Sequence, residues 1–377
     1  MSLVAFLGAA WIQHVRPELP AEYTWLQPYR VLRRIAETED FPTAVLFAFG
    51  LGAFARVGVR GLAAQIEAVR ARDFGPADRK RWLVRMLAFV VVVALDVLFI
   101  PTHGPLDAVC LGLAGASLAR PWSRAALLRW LGHGVAALLV FTAVCYWFTV
   151  IKALTFVGRT QHDADIVNFE HALTGVYPHQ VLARWSSERP GIVYWFDWAY
   201  FKIFDHMTLT TAFLLGLRNV RERTAYLGAL AICYFLGGPL YLVYPAAGPV
   251  YFDPAQFQFL HYQELIVNYV QAGLYQNTAA INSKQADILD TWSYIACLPS
   301  LHMAHESVML FYARASRIGF ALSLAFTLFT GVAVVALGWH YPSDIVAGVA
   351  LAAVAIVVAR WQANRLLPAQ IVPQGDS

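Results

Sequence analysis

Residues 318–360 read IGFALSLAFTLFTGVAVVALGWHYPSDIVAGVALAAVAIVVAR. Two apolar runs flank a short polar turn, Gly338-Trp339-His340-Tyr341-Pro342-Ser343-Asp344. Each run approaches the ~20 residues that a helix needs to cross a bilayer core. Neither alternates apolar with polar residues as a half-buried strand would. Lipid leaves backbone polar groups no partner but their own chain, so the stretch reads as a helical hairpin with its turn at one membrane surface.

Composition extends that reading to the whole chain. Of 377 residues, 59% are hydrophobic and only 14% charged, against about 25% charged in a soluble domain. Mean hydropathy is +0.52. This excludes a disordered chain and leaves too little polar residue to cover one soluble core. The net charge of +4, 28 basic minus 24 acidic residues, is too small for a nucleic-acid footprint, so no such partner is expected. Cys110, Cys145, Cys233 and Cys297 have no metal-ligand spacing and read as buried thiols. Residues 2–15 are apolar but short, with no basic residue before them, and are not expected to be a signal peptide.

Outward from the hairpin, spans are expected near 43–59, 83–101, 106–119, 131–151, 193–217, 224–245 and 300–315, ahead of 318–338 and 342–361. The expected fold is therefore all-α, a polytopic bundle of about nine transmembrane helices. Arginines and lysines cluster at Arg60–Arg81, Arg120–Arg129, Arg218–Arg223, Arg314–Arg317 and Arg360–Arg365. Nine spans place all five clusters on one face, which the positive-inside rule makes cytoplasmic. The opposite face then holds residues 152–192, with Ile166, Phe169, Leu173 and Val176 at helical spacing, read as an interfacial helix. It also holds the long loop 246–299.

Two polar strings fall on that same face: Pro299-Ser300-Leu301-His302, and His340 to Asp344. The chain leaves this face at one string and returns to it at the other, so His302 and His340 can meet. A helix starting at Ser300 aims free N–H groups at the same spot, which suits an anion. Asp344 stands four residues beyond His340, the spacing at which a carboxylate can hold one ring N–H and free the other nitrogen for attack. A second histidine can protonate a leaving oxygen. These types in this order point to phosphoryl transfer through a covalent intermediate.

The strings resemble motifs two and three of the type-2 phosphatidic acid phosphatase superfamily of membrane lipid phosphatases and phosphotransferases. They are most similar to the branch containing inositol phosphorylceramide synthase, which has PSLH and a His-Tyr-x-x-Asp string, and a proline-rich turn like Tyr244-Pro245-Ala246-Ala247-Gly248-Pro249. The stretch Asp165 to Trp185, with Glu170, Leu173, Gly175, Pro178 and Leu182, resembles the branch's interfacial segment. The resemblance covers about residues 160–360. It implies a six-helix core, no metal and no cofactor, with His340 as nucleophile, Asp344 as its orienting partner and His302 as general acid. Ser300 and Pro299 would hold phosphate, and the turn with Tyr244, Pro245, Gly248 and Pro249 would line the site. The phosphatase members carry SRx5H and Kx6RP; here Ala333-Val334 replaces the first pair and Kx6RP is absent. Lys284, Lys152, Arg159, Arg184 and Arg189 are the remaining candidate cations on this face, Lys284 foremost.

The expected organisation is an N-terminal membrane region, 1–150, a catalytic membrane domain, 151–365, and a tail, 366–377. Three functions compete: a lipid phosphotransferase moving a phosphoryl-headgroup to a lipid or sugar alcohol, a phosphatase for lipid phosphates or polyprenyl diphosphates, and a non-catalytic transporter or scaffold. The partners are membrane lipids. The Ala- and Arg-rich composition suggests a bacterial inner membrane with a periplasmic site. Asp197, Lys202, Asp205 and His206 read as a structural ion-pair group within a span. His305 and Glu306, near His302, lack the HExxH spacing of a zinc site. Trp292, Trp339 and Tyr341 read as an aromatic belt.

Overall fold

The computed structural model describes residues 160–203, 220–283 and 295–367, with residues 83–84, 87, 90–91, 152, 155, 206–207 and 210. The expected spans near 43–59, 106–119 and 131–151, and most of 83–101, lie outside the described residues. The chain divides into two units, one of Met1–Thr38, Leu139–Ile203 and Thr224–Ser377, the other of Glu39–Leu138 and Phe204–Arg223. Both polar strings belong to the first unit.

All regular structure among the described residues is helical: α1 Asp163–Thr174, α2 Pro178–Ser187, α3 Pro190–Phe201, α4 Val220–Val243, α5 Pro249–Phe252, a 3₁₀ segment Pro254–Tyr262, α6 Ile266–Asn282, α7 Leu301–Ala313, α8 Arg317–Ala336 and α9 Pro342–Leu366. Proline opens α2, α3, α5 and α9, where its fixed φ and missing N–H cost nothing. Ser300 and Ser316 cap α7 and α8, their hydroxyls accepting from Met303 N at 3.3 Å and Gly319 N at 3.2 Å.

Among the described residues, three helices are long and apolar enough to cross a membrane: Arg221–Val243, Arg317–Ala336 and Pro342–Leu366. They match the expected spans at 224–245, 318–338 and 342–361. The expected span at 300–315 is the 13-residue α7, about 20 Å long against a core of about 30 Å. The expected span at 193–217 opens with α3, which stops at Lys202; most residues beyond Ile203 lie outside the described set. Arg314 and Arg360 both lie over the Phe311 ring, at 3.6 and 5.7 Å. Two of the basic clusters therefore share one end of the bundle, away from the 338–344 turn.

Helix α7 packs chiefly on α8 and α9. Small residues set the α7–α9 distance: Ala304, Gly348, Ala352 and Ala355 are all buried, and small residues let backbones approach. A Cβ on Gly348 would stand 2.3 Å from Ser300 O.

Helix α1 presents an unusual pair of faces. Asp163, Ile166, Val167 and Glu170 are buried, while Phe169, Leu173 and Val176 are 60%, 73% and 47% exposed. Of the four apolar residues expected to share one face, only Ile166 turns inward. Carboxylates inward and apolar groups outward suits a helix whose outer side meets lipid.

Gly348→Ala should cost about 1–3 kcal/mol of stability, the range for overpacking. Gly191→Ala, where an added Cβ meets nothing within 4 Å, should be neutral or gain less than about 1 kcal/mol. Thermal unfolding in detergent reads both.

Candidate active site

The turn from α8 into α9 is shaped by backbone bonds. Gly338 adopts φ 74°, and a Cβ there would meet Val250 at 2.8 Å and Phe257 at 2.9 Å. The N–H groups of Trp339 and His340 both donate to Val334 O, at 3.0 and 3.1 Å. The chain thus doubles back on the last turn of α8 and delivers His340 beside the start of α9. Asp344 Oδ2 accepts Tyr341 N–H at 2.8 Å, half of a capping box. The same oxygen lies 3.4 Å from His340 Nδ1, longer than a good hydrogen bond but in ion-pair range. Ser300 N–H donates to Asp344 O at 3.0 Å, joining the two polar strings directly.

That bond brings His302 opposite His340, with ring centroids 6.5 Å apart. His302 is half-buried and stacks on Tyr200 at 4.1 Å. Tyr200 stacks in turn on Trp339 at 5.0 Å, the planes within 8°. Pro299 O accepts from Tyr241 Oη at 3.0 Å. His340, Asp344, His302, Ser300 and Pro299 therefore share one site.

The 244–249 turn is bonded to both strings. Cys297 N donates to Ala246 O at 3.1 Å and Val250 N to Gly338 O at 2.9 Å. Gly248 has φ 100°, and a Cβ there would stand 2.7 Å from Trp339 O. Pro249 opens α5 beside it, and Pro245 O accepts His162 N at 2.9 Å. The Tyr244 ring itself stacks on His162 at 4.2 Å, with its hydroxyl 3.5 Å from Asp165. Lys284, Arg159, Asp205 and Trp292 lie outside the described residues.

These contacts also place other residues that the sequence singles out. Trp339 and Tyr341 are 7% and 0% exposed, so they belong to the interior of the site and not to an aromatic belt. Asp197 accepts from Ile266 N at 3.0 Å and Val267 N at 2.9 Å, capping α6 across space. His305 turns to Leu230 O at 3.3 Å and Glu306 to Thr327 Oγ1 at 2.9 Å, so neither converges with His302. Arg189 lies over Trp185 and pairs with Glu188 at 3.2 Å, at the exposed end of α2; Arg184 is exposed. Burial, then the negative charge of Asp344, pushes the Cys297 thiol well above its usual range, consistent with an inert core sulfur.

Further residues adjoin these, and of them Asp163 and His179 are not apparent from sequence. Asp163, 1% exposed, accepts from Ala247 N and Gly248 N at 2.8 Å each and from Tyr341 Oη at 3.0 Å. Glu170 Oε1 accepts from Ser343 N and Ser343 Oγ, both at 2.7 Å. His179 meets the Tyr341 ring edge-on at 5.3 Å, and burial holds its imidazolium form below the usual range. Lys152 lies 5.9 Å from the Tyr241 ring, near enough for its charge to reach Cys297 and His302. A signal for it exists: Lys152 and Arg159 keep the Kx6R spacing, with Thr160 where the motif has proline.

An apolar cleft of about 740 Å³ runs between α7, α8 and α9, from Leu310 and Leu324 to Pro342 and Ile345. Pro178 and Leu182 of α2 also line it.

The sequence profile of the PAP2 superfamily matches residues 164–358, more than half of the chain. The chain belongs to the PAP2 superfamily. It is a phosphatase or phosphotransferase of that superfamily. No curated protein and no solved structure matches it.

Burial raises the Glu170 carboxyl above the ordinary range, more than its bonds to Ser343 lower it. A carboxyl with a raised folded pKa contributes stability that is complete below its unfolded pKa and is lost as pH rises through the folded one. Glu170→Gln keeps an acceptor for Ser343 and cannot ionise. Its thermal stability should match wild type at acid pH and exceed it increasingly as pH climbs through that window, then by a constant amount. A gap that narrows with rising pH would contradict this.

Proposed function

We propose that the protein is a membrane lipid phosphotransferase that moves a phosphoryl-headgroup from a phospholipid to a lipid or sugar alcohol. The observation that carries this reading is the convergence of His302, His340 and Asp344 around the Ser300–Asp344 backbone bond. Asp344 faces Nδ1 of His340, which leaves Nε2 as the attacking nitrogen. Nε2 bonds to phosphorus while the bond to the lipid alcohol breaks, and His302 gives the leaving oxygen its proton. In the second step the acceptor hydroxyl returns a proton to His302, its oxygen bonds to phosphorus, and the Nε2–P bond breaks. The first-turn N–H groups of α7 and Lys152 carry the phosphate charge. Similarity to the inositol phosphorylceramide synthase branch supports transfer over hydrolysis: Ser300-Leu301-His302 follows that branch, and Val334 stands where phosphatases have arginine. The alternative is a phosphatase of lipid phosphates or polyprenyl diphosphates, in which water takes the acceptor's place; the family match fits both. In this reading the basic end is cytoplasmic by the positive-inside rule and the site faces the periplasm of a bacterial inner membrane.

His340→Ala should lower turnover by about three orders of magnitude or more, the scale of losing a nucleophile. Mass spectrometry of purified protein with labelled phospholipids, a polyprenyl diphosphate and candidate alcohols reads the products. A new phosphodiester lipid that requires His340 supports transfer; free phosphate alone makes the enzyme a phosphatase. Activity intact in His340→Ala would end the reading.

The cleft lined by Pro342 and Ile345 takes one hydrocarbon chain of the lipid in this reading. Gly331 lines it, where an added Cβ would touch Met303 at 3.4 Å. Gly331→Phe should raise KM for a long-chain donor about three- to tenfold and spare a short-chain donor. The effect is modest because a tail leaving the bilayer gains packing and no hydrophobic transfer. Equal effects on both donors would place the chain elsewhere.

A further inference from the structure

We propose that α1 is the positioning element of the site. Two buried carboxylates on one face of it, Asp163 and Glu170, would hold the two residues that bracket Pro342 and so fix His340 against Asp344. The proposal rests on the phosphotransfer reading above and adds residues that neither the motifs nor the family match assign.

Asp163 and Glu170 are seven residues apart, two helical turns, and so point the same way about 10 Å apart along α1. Both are buried, at 1% and 4% exposure. Asp163 holds the Tyr341 hydroxyl at 3.0 Å, and Glu170 holds Ser343 through both its N–H and its hydroxyl. His340 immediately precedes Tyr341, and Asp344 immediately follows Ser343. The two grips therefore fall on the inner neighbours of the reacting pair. Tyr341 N–H is itself bound by Asp344 Oδ2, the oxygen that faces His340 Nδ1. A shift of Tyr341 moves that oxygen. Asp163 also takes the N–H groups of Ala247 and Gly248, which ties the proline-rich turn to the same point. None of the bonds made by these two carboxylates goes to His340, so both act through other residues.

The two carboxylates differ in what they tolerate. Both oxygens of Asp163 accept hydrogen bonds, so an Asn amide would set its NH₂ against a backbone N–H. In Glu170 a single oxygen accepts both bonds and Oε2 is buried with no hydrogen-bond partner. A Gln can keep the accepting oxygen and turn its NH₂ to the idle side. Positioning by hydrogen bond therefore predicts opposite outcomes for the two isosteric amides, which a general packing role would not.

The test uses the full chain in lipid nanodiscs with a labelled phospholipid donor and an alcohol acceptor. It measures kcat, KM, the rate of acid-labile labelling of the protein by rapid quench, and thermal unfolding. Asp163→Asn and Glu170→Ala should each lower kcat and the labelling rate about 10- to 100-fold, the cost of misplacing a reacting group by up to about 1 Å, with KM within about twofold. Glu170→Gln should restore kcat to within about threefold of wild type. Tyr341→Phe removes only the hydroxyl, and combined with Asp163→Asn it should be less than additive, as expected for one shared bond. Should Asp163→Asn fail to fold, Tyr341→Phe and the Glu170 pair decide the matter. Glu170→Gln as damaging as Glu170→Ala, or losses confined to KM or to unfolding temperature, would overturn the proposal. Wild-type turnover that does not depend on His340 would instead overturn the phosphotransfer reading, and this proposal with it.

Discussion

The bond from Ser300 N–H to Asp344 O, at 3.0 Å, is the contact on which the rest of the site depends. It is made between two main chains, and it exists because Gly348 offers no side chain to the Ser300 carbonyl. Helix starts meet here instead of helix middles, so the unpaired N–H groups of α7 and the first turn of α9 face one volume. The spacing of His302 and His340 follows from that backbone contact and not from the reach of flexible side chains. The Tyr200 and Trp339 rings then remove the remaining freedom of His302 by stacking. A site built this way needs little rearrangement to bring two imidazoles to one phosphorus.

Four of the five buried acids among the described residues follow one rule, Glu306 with its Thr327 hydroxyl being the exception. Asp197 takes the N–H groups that open α6, Glu170 takes Ser343 in the first turn of α9, and Asp344 takes Tyr341 at the cap of the same helix. Asp163 takes the two N–H groups just ahead of α5. A carboxylate out of water is costly unless it is hydrogen-bonded, and the N–H groups at a helix start are costly unless they find an acceptor. Each removes the other's cost. Helix α1 supplies two of these four acids from its inner face while Phe169 and Leu173 stand on its outer one, which inverts the pattern of a helix on a water-soluble protein.

Part of this is legible in the sequence. Long apolar runs identify α4, α8 and α9 because burial in lipid demands nothing but length and hydrophobicity. The two polar strings identify His302, His340, Asp344 and Ser300 because local spacing brings a carboxylate to an imidazole and a serine to a helix start. Asp163 carries no such signal, since its three partners lie far along the chain and nothing in its neighbourhood requires them. Hydropathy offers Asp197 only near neighbours as ion-pair candidates, whereas its partners are Ile266 and Val267. Tyr341 and Trp339 escape for the same reason: aromatic residues at a span end are normally interfacial, and only distant partners bury these, Ile166, Ala246 and Cys297 around Tyr341 and Tyr200, Val250 and Phe257 around Trp339. Tertiary partners of polar groups are the part of a membrane fold that periodicity does not encode.

Position 334 bears on what the site can accept. Val334 is buried with Met303 and Val335, and its carbonyl holds the N–H groups of Trp339 and His340. A guanidinium at that position would have to leave the apolar cluster or be buried in it at high cost. The phosphate charge must then be met from another direction. Lys152 lies within electrostatic reach of His302, and Arg159 follows it at the Kx6R spacing. A phosphomonoester dianion asks for more cation than a phosphodiester monoanion, because attraction to each fixed charge scales with ligand charge. An apolar wall at 334 supplies less cation than a dianion needs, which is the physical support for the diester donor proposed above.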